Sequence, residues 1–250
     1  MAAPFLIKAV TGLLADIPAS GKSLLDISCK EGDVLQAVAS LGFSIRGTNF
    51  EPTGPSLNGT PIDYGVDLLQ RLPYDDASFD VVLLVEVIEH LENHRTALCE
   101  LARILKPGGV LILTTPNIMR LNSRFHFFFS GYHKTKRRFI PFDTPLVQAH
   151  RFHNYPIDLP ILYYLCKQNG LTIERLGNSK IKGFSRLLFL LFGLPVQLYT
   201  WYTLQLREKN PQQKQENRQL CRWLLHSRTL MEDNLVLRLR KTEGSVPASH

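Results

Sequence analysis

Residues 23–41 read SLLDISCKEGDVLQAVASL, and this stretch decides the class of fold. Its first five residues form a short apolar run that ends in turn-prone residues, which is typical of a buried strand. After the loop, apolar side chains recur at helical spacing over residues 33–41, and Asp33 is placed to cap that helix. The stretch predicts a strand, a loop and a helix in that order.

The same alternation continues along the chain. Further strands are predicted at residues 43–46, 79–85 and 109–115, and the amphipathic residues 93–105 predict a helix that stops at the breakers KPGG. Strands that alternate with helices imply a mostly parallel sheet with helices on both faces. Prolines and glycines between residues 51 and 64 rule out a regular helix, so this crossover is predicted to be an irregular loop.

The two ends of the chain fit the same pattern. Residues 157–168 predict a helix, residues 171–176 a strand, and the alternating residues 234–240 a last strand. Residues 2–14 are apolar but lack the basic start and small-residue cleavage site of a secretory signal, so we expect an N-terminal helix packed on the domain. A chain of 250 residues with 44% apolar composition fits one domain, residues 1–250.

Charge is distributed unevenly along this domain. Residues 1–117 contain 8 Lys/Arg and 14 Asp/Glu, a formal charge of −6, whereas residues 118–250 contain 21 and 8, a charge of +13. The second half is therefore expected to face an anionic partner such as phospholipid, a phosphorylated substrate or nucleic acid, the alternative being a solvated basic surface. The cysteines are dispersed and form no C-x-x-C pair, so neither a disulfide framework nor a zinc site is indicated, and a reducing, cytoplasmic compartment fits best. They are Cys29, Cys99, Cys166 and Cys221.

Three segments taken together resemble the class I S-adenosylmethionine-dependent methyltransferases. They are LLDISCKEGD at residues 24–33, LPYDDASFDVVLLVEVIEHL at 72–91 and LARILKPGGVLILTTPN at 101–117. The resemblance implies an α/β, Rossmann-like seven-stranded sheet with an antiparallel last strand, and a cofactor, S-adenosyl-L-methionine, lying across the carboxyl ends of the first strands. Residues 1–117 would then be the cofactor-binding half and residues 118–250 the substrate-facing half.

Suitable cofactor-binding groups follow four of the predicted strands. S-adenosylmethionine needs close backbone approach at its methionine part, acceptors for the ribose hydroxyls, a polar partner for the adenine amine and apolar walls for the ring. The expected cofactor-binding residues are Asp26, Ser28, Cys29, Gly32, Asn49, Glu51, Asp67, Leu68, Val85 and Glu86.

Three positions depart from the family pattern. Ser28 and Lys30 stand where the family usually has glycine, and Asn49 stands where an acidic residue is usual. Glycine permits positive φ and close backbone approach, whereas asparagine can hydrogen-bond a hydroxyl without the strength of a charged acceptor. The departures predict low cofactor affinity and leave open a different class of protein, a non-catalytic methyltransferase-like module that associates with membranes.

Other nucleotide sites fit less well. The run from Gly21 to Ser23 is similar to the end of a phosphate-binding loop, but residue 16 is Asp and a strand follows the Ser instead of preceding the loop. A nicotinamide-binding enzyme is disfavoured because the first turn has no G-x-G-x-x-G.

Two histidines are candidates for the base. Methyl transfer from a sulfonium to a hydroxyl is an in-line displacement in which a nearby base removes the acceptor proton, and it requires no metal. His90 lies one helical turn beyond Glu86, and His150 lies in a segment that enters from the second half. Histidine is largely neutral at cytosolic pH and can accept a proton. We expect His150 to be the base and His90 to shape the pocket, the alternative for each being a structural role.

Residues 187–206 carry no formal charge and are flanked by basic residues. This length reaches that of a membrane span, but the strands predicted before and after it must share one sheet. Gly193 and Pro195 interrupt the segment, which favours a hydrophobic hairpin insertion over residues 181–207, lying in one leaflet of the cytoplasmic membrane face. A buried lid or a dimer face is the alternative.

The methyl acceptor is predicted from a weaker resemblance. Residues 115–131, TPNIMRLNSRFHFFFSG, together with His150, resemble bacterial methyltransferases of saccharide and lipid-linked glycan biosynthesis. This favours O-methylation of a saccharide or lipid-linked hydroxyl, with a small phenolic or quinone-like acceptor as the alternative. The basic HKTKRR at residues 133–138 follows several phenylalanines, but without a recognisable nucleic-acid module a nucleic-acid partner is disfavoured.

Overall fold

A computed structural model describes residues 3–54, 57, 59–135 and 139–243. Its centre is a sheet of seven strands: β1 (Ser23–Ile27), β2 (Ser44–Asn49), β3 (Ile62–Tyr64), β4 (Phe79–Val85), β5 (Leu105–Pro116), β6 (Leu171–Leu176) and β7 (Asn234–Lys241). The spatial order is β3-β2-β1-β4-β5-β7-β6. The strands β1 to β5 pair in parallel, and β7 runs antiparallel to both β5 and β6. The predicted fold class is confirmed.

Helices cover both faces of the sheet because the strands are apolar on both sides. They are α1 (Pro4–Leu14), α2 (Asp33–Ala39), α3 (His94–Ile104), α4 (Leu121–Ser130), α5 (Leu159–Gln168), α6 (Gly183–Trp201), α7 (Pro211–Leu224) and α8 (Ser227–Met231). Leu24 packs into the layer formed with α1 and α2, whereas its neighbour Leu25 packs into the layer formed with α3, α5 and α7. This alternation places two apolar cores on one sheet.

The structure corrects several predicted boundaries. Gly32, with a φ of 78°, precedes α2 and its cap position makes no side-chain hydrogen bond, so Asp33 is the first helical residue and not the cap. Strand β2 extends to Asn49, beyond the predicted residues 43–46. Helix α3 ends at Ile104, before the predicted breakers, because β5 begins at Leu105 to pair with Phe79 of β4.

The predicted hairpin in residues 181–207 is wrong. Helix α6 continues through Gly193 and Pro195 and passes into a π-helical turn at Tyr202–Leu206. An interior proline removes one backbone hydrogen bond and bends a helix without necessarily ending it. Here Leu188 packs against Leu121 of α4 and Leu230 of α8, which supports the continuous helix.

The last two elements of the sheet fix the position of this helix. Along the chain, helix α6 comes after β6 and before β7, and these two strands are hydrogen-bonded neighbours in the sheet. Its residues Gly183–Leu206 are long and apolar enough to cross a bilayer, with a mean hydropathy of 1.4, but the protein buries only 11% of that apolar window. A single crossing would separate β7 from its sheet.

Candidate functional site

The loop after β1 adopts left-handed backbone conformations at three alternate positions. The φ angles are 59° at Ser28, 53° at Lys30 and 78° at Gly32. A side-chain-bearing residue in this region costs about 1–2 kcal/mol, so surrounding contacts must hold the loop in place. Ser28 and Lys30 thus keep the backbone conformation for which glycine is suited.

Strand β2 supplies the contacts that hold this loop. The Cys29 amide donates to the Thr48 carbonyl at 2.8 Å, and the Ser28 amide donates to the Thr48 hydroxyl at 3.1 Å. The Asn49 side chain forms two hydrogen bonds with the Lys30 backbone. Its Oδ1 accepts from the Lys30 amide at 2.7 Å, and its Nδ2 donates to the Lys30 carbonyl at 3.2 Å. Asn49 therefore supports the loop, a role that the sequence analysis did not assign to it.

Close packing leaves Gly32 no room for a side chain. A Cβ atom there would lie 2.3 Å from Leu57 Cδ1, and the positive φ would strain any other residue. Gly32 is the one glycine of the family pattern that this loop retains, and both its conformation and its contacts require it.

Two buried ionisable groups belong to this part of the chain: Asp26 at the end of β1 and Cys29 in the loop itself. Burial raises the pKa of Asp26 to about 8, an effect that the Lys30 ammonium opposes. Burial and the nearby Asp26 carboxyl raise the pKa of the Cys29 thiol to about 12. Asp26 is therefore poised to ionise when a positive charge arrives beside it, whereas Cys29 remains a neutral thiol.

The ends of β2 and β3 form the adjoining part of the site. The Gly65 and Val66 amides donate to the carbonyls of Glu51 and Asn49, which continues the pairing of the two strands and places Asp67 at the same edge. Asp67 Oδ1 accepts from the Leu69 amide at 2.9 Å, and Leu68 is buried. The expected acceptors Glu51 and Asp67 thus lie at one edge of the sheet, and the buried Leu68 follows Asp67 directly in the chain.

His150 lies over this same region. Its Nε2 atom is 3.7 Å from Glu51 Oε1, and its ring centroid is 5.2 Å from that of Phe50. Arg151 binds the same Glu51 oxygen at 3.3 Å. The short 3-10 helix Leu146–Arg151 therefore brings His150 to the end of β2, away from the end of β4 where His90 lies.

Polar side chains connect the end of β4 to neighbouring strands. Val85 is the last residue of the strand, and Glu86 follows with a φ of 54°. Glu86 Oε1 accepts from the Thr114 hydroxyl and from Asn234 Nδ2, both at 3.0 Å, so it joins β4 to the ends of β5 and β7. The Glu86 side chain therefore links three strands, in addition to lying at the carboxyl edge of the sheet.

Glu89 is a functional candidate that the sequence analysis missed. It is fully buried, its Oε2 accepts from the Thr115 hydroxyl at 3.2 Å, and among the described residues its Oε1 has no hydrogen-bond partner. Burial, together with the Glu86 carboxylate, raises the pKa of Glu89 well above its usual value. The motif EVIEHL contains Glu89, but nothing in its spacing distinguishes a buried acid from a helix-surface acid.

His153 is the second residue that was missed, and it lies against His90. The two rings meet edge to face with centroids 4.8 Å apart. His90 Nδ1 donates to the Phe152 carbonyl at 3.0 Å, and the Tyr155 amide donates to the Glu89 carbonyl at 3.0 Å, so backbone hydrogen bonds fix this segment. The Nδ1–H tautomer of His90 leaves the lone pair on Nε2.

These side chains could also hold a cation. One ligand atom each from Glu89, His90 and His153 lies within 4.8 Å of the others. Carboxylate and imidazole are ligands that several divalent metals accept.

The structure thus divides the predicted site residues into groups. Asp26, the loop from Ser28 to Gly32, and the ends of β2 and β3 form one continuous edge with Val85 and Glu86 in the centre of the sheet. His90 lies beside that centre, and His150 lies at the β2 end. Lys136, Arg137 and Arg138 of the basic HKTKRR segment lie outside the described residues.

The sheet order and the polar groups at its carboxyl edge define an α/β protein with a nucleotide-type cofactor site. Residues 25–113 match the family model described as a methyltransferase domain. Over these residues the chain is similar to the S-adenosylmethionine-dependent methyltransferases, and its sheet order is the one that the resemblance to class I members of that family predicts.

Curated relatives resemble part of the chain. The ubiquinone biosynthesis O-methyltransferase of Maricaulis maris is 37% identical over 114 residues, which cover 42% of this chain and 45% of that protein. The protein of the same name from Cereibacter sphaeroides is 35% identical over 112 residues, with the same two coverages of 42% and 45%. The match therefore spans less than half the length of these relatives.

Solved structures share the fold over nearly the whole chain. A SAM-dependent methyltransferase from Archaeoglobus fulgidus superposes with a TM-score of 0.54 at 16% identity, covering 94% of both chains. Phosphoethanolamine N-methyltransferase 2 of Haemonchus contortus, bound to phosphomonomethylethanolamine and S-adenosylhomocysteine, superposes with a TM-score of 0.53 at 15% identity, covering 94% of this chain and 52% of that one. At these identities the likeness extends to the fold alone.

Proposed function

We propose that this protein transfers a methyl group from S-adenosylmethionine to a hydroxyl oxygen of a small acceptor. The observation that carries the proposal is the loop after β1, which keeps left-handed conformations at Ser28 and Lys30 despite their side chains. Such strain persists at functional sites because neighbouring contacts maintain it. A chain that had lost cofactor binding would gain stability by relaxing this loop.

The residues at the sheet edge fit this cofactor. Glu51 offers a carboxylate to the ribose hydroxyls, and Asp67 with Leu68 offers a polar partner and an apolar wall to the adenine. Asp26 lies at the end of β1, where its carboxyl favours the cationic methionine part, and Val85 and Glu86 lie at the central strand end between these groups and His90. When bound, S-adenosylmethionine supplies an electrophilic methyl group.

We further propose that His90 is the base, in place of His150. The Phe152 carbonyl fixes the His90 ring with Nδ1 protonated, which directs the proton-accepting Nε2 away from that bond. His153 packs against the ring and maintains its orientation. His150, which is paired with Glu51, instead closes the ribose end of the site.

A phenolic, quinone-like acceptor is favoured over a saccharide. The curated relatives carry the name ubiquinone biosynthesis O-methyltransferase, which indicates an apolar aromatic substrate class. A phenol also ionises more readily than a sugar hydroxyl, so a neutral histidine is a sufficient base. A saccharide or lipid-linked hydroxyl remains the second candidate, because the large exposed apolar surface of α6 also suits a lipid-linked acceptor.

We also propose that the protein works on the cytoplasmic face of a membrane. Helix α6 exposes a row of leucines: Leu187, Leu190, Leu191, Leu194 and Leu198 are each at least half exposed. Phe128 and Phe129 of the neighbouring α4 are each 80% exposed. Apolar surface of this extent is characteristic of a binding face, and aromatic residues favour the lipid interface.

Two measurements test the activity. Calorimetric titration with S-adenosylhomocysteine should show saturable binding, whereas a non-catalytic module without a cofactor would show none. Incubation with methyl-labelled cofactor and matched acceptors, a polyprenylated phenol and a polyprenyl-linked saccharide, should label the phenol. Labelling of the saccharide alone would reverse the order of the two acceptors.

A further inference from the structure

A cavity lies where the apolar helix α6 ends. It has a volume of about 460 Å³ and is bounded by the end of α6, the π-helical turn and the first part of α7. Its lining consists of Trp201, Gln205, Leu206, Lys214, Arg218 and Cys221. None of these residues belongs to the site at the carboxyl edge of the sheet, so the cavity requires a separate explanation.

Two cations in this lining, Lys214 and Arg218, form no ion pair with any acid among the described residues. Lys214 and Arg218 are four residues apart on α7 and therefore share one face of the helix. The acid between them, Glu216, pairs with Lys167 of α5. Glu208, which precedes α7 in the chain, accepts a hydrogen bond from the Asn210 amide.

Neighbouring residues extend this positive charge. Arg222, one further turn along α7, lies with its guanidinium 4.9 Å from the centroid of the Trp223 ring. Arg207 and Lys209 precede α7 in the chain. The surface around the cavity therefore favours an anion, and an arginine with a lysine can bind phosphate oxygens by hydrogen bonds as well as by charge.

The remaining lining suits the boundary between lipid and water. Trp201 is 45% exposed, and its indole presents an apolar ring with a polar N–H. Gln205 is only 6% exposed, and its Nε2 makes a long contact of 3.9 Å to Cys221 Sγ, which leaves the amide able to form a stronger hydrogen bond. A free cytosolic anion would not need the adjoining apolar surface of α6.

We propose that this cavity binds the phosphate headgroup of an anionic phospholipid while α6 lies in the same leaflet. The inference rests on the proposed membrane-surface location and adds a lipid preference to it. The acyl chains of the bound lipid would run along the exposed leucines of α6, and its phosphodiester would lie between Lys214, Arg218 and the Gln205 amide. This arrangement fixes the C-terminal end of α6 at the membrane surface.

Vesicle sedimentation with a double variant tests the proposal. Lys214→Gln with Arg218→Gln should weaken partitioning onto mixed phosphatidylcholine and phosphatidylglycerol vesicles by about 30-fold, since each basic residue near an anionic surface contributes about fivefold. Partitioning onto pure phosphatidylcholine should stay unchanged. The matched control, Lys8→Gln with Arg95→Gln, removes the same charge from other helices and should change partitioning only a few-fold. The exchange Lys214→Arg with Arg218→Lys should retain binding.

Soluble probes separate the possible sources of phosphate. Dihexanoyl phosphatidylglycerol below its micelle concentration should change tryptophan fluorescence with saturation in the native protein and not in the double variant. Inorganic phosphate should bind far more weakly. Equal affinity for inorganic phosphate would overturn the lipid assignment.

The outcomes also separate this inference from the membrane location. If both vesicle types bind and the double variant equals its control, the headgroup site is wrong and the membrane location stands. If neither vesicle type binds, the membrane location is wrong and the headgroup site with it, while cofactor titration still tests the methyltransferase activity.

Discussion

The two halves of this chain arrange their polar and apolar groups in opposite ways. In residues 1–117, acidic and amide side chains turn inward: Asp26, Asn49 and Glu89 are all buried at the carboxyl edge of the sheet. In residues 118–250, apolar side chains turn outward, and Leu190 of α6 is 80% exposed. Buried acids and exposed apolar side chains are both unfavourable for folding alone, which supports the proposed cofactor for the first half and the proposed membrane surface for the second.

If this division is correct, the two binding functions should be separable by mutation. The largest effect is expected from the apolar face. Leu190→Ser with Leu194→Ser removes two exposed side chains, each contributing about 1.5–3 kcal/mol when buried in lipid, so vesicle partitioning should fall by about 10³-fold. Binding of S-adenosylhomocysteine should stay unchanged.

The control for this experiment is Ile161→Ser with Tyr164→Ser, two exposed residues of α5. They should leave vesicle binding nearly unchanged. Equal losses in both double variants would show that α6 has no special contact with lipid, and its exposed face would then be assigned to self-association, which sedimentation velocity would detect.

The next largest effect concerns the base in the first half. His90→Gln keeps an amide that can donate to the Phe152 carbonyl but cannot accept a proton at neutral pH, so kcat should fall by about 10²-fold or more. His150→Gln should change kcat little and weaken cofactor binding through the loss of its contact with Glu51. The reverse pattern, with kcat lost only in the His150 variant, would restore His150 as the base.

How far the sequence predicts these features differs between the halves. Strands β1, β4 and β6 begin and end where they were predicted to. When both faces of a sheet are buried, a short apolar run in the sequence marks the extent of a strand. The hairpin predicted in residues 181–207 was wrong. The positions of Gly193 and Pro195 in the sequence cannot show that tertiary contacts of Leu188 support a continuous helix. His153 could not be found from the sequence, since its contact with His90 depends on how a loop folds over the sheet.

Cofactor affinity should respond to changes at the β3 end. Asp67→Ala should weaken binding of S-adenosylhomocysteine by about 5- to 150-fold, since the loss of a buried polar contact costs about 1–3 kcal/mol. Asp75→Ala is the control, because it removes the same charge from an exposed loop of the same half. Calorimetry that finds equal affinity in a folded Asp67 variant would remove this residue from the site.

A smaller effect is expected from pH. Burial raises the pKa of Asp26 to about 8, so the carboxyl is mostly protonated at pH 7 when no cofactor is bound. The cationic cofactor favours the carboxylate, so binding should release a proton and S-adenosylmethionine affinity should rise by up to about tenfold per pH unit until pH reaches about 8. Calorimetry in buffers of different ionisation enthalpy measures this release.

The same group has the opposite effect on the free protein. Because the folded pKa of Asp26 exceeds its unfolded value, its contribution to stability is fully present below about pH 4 and is lost as pH rises through about 8. Asp26→Asn should abolish both the proton release and this part of the pH dependence. Proton release that persists in the Asn variant would assign the titration to another group, with Glu89 the next candidate.

The smallest effect is expected from the strained loop after β1. This experiment tests whether the loop conformation lowers the stability of the protein in favour of ligand binding. Ser28 has a φ of 59°, and replacement by glycine should relieve about 1–2 kcal/mol of strain while adding about 0.5–1 kcal/mol of backbone entropy to the unfolded chain. Ser28→Gly should therefore raise the free energy of unfolding by up to about 1 kcal/mol, as measured by urea denaturation.

Ala77, an exposed residue with a φ of 54°, supplies the matched control for this comparison. Ala77→Gly should stabilise the protein by a similar amount and leave S-adenosylhomocysteine affinity unchanged, because Ala77 lies in the loop before β4, away from the carboxyl edge of the sheet. Ser28→Gly should change that affinity as well, since the residue belongs to the loop that we propose contacts the cofactor. If both variants stabilise the protein and neither alters affinity, the conformation of Ser28 serves the fold and not the ligand.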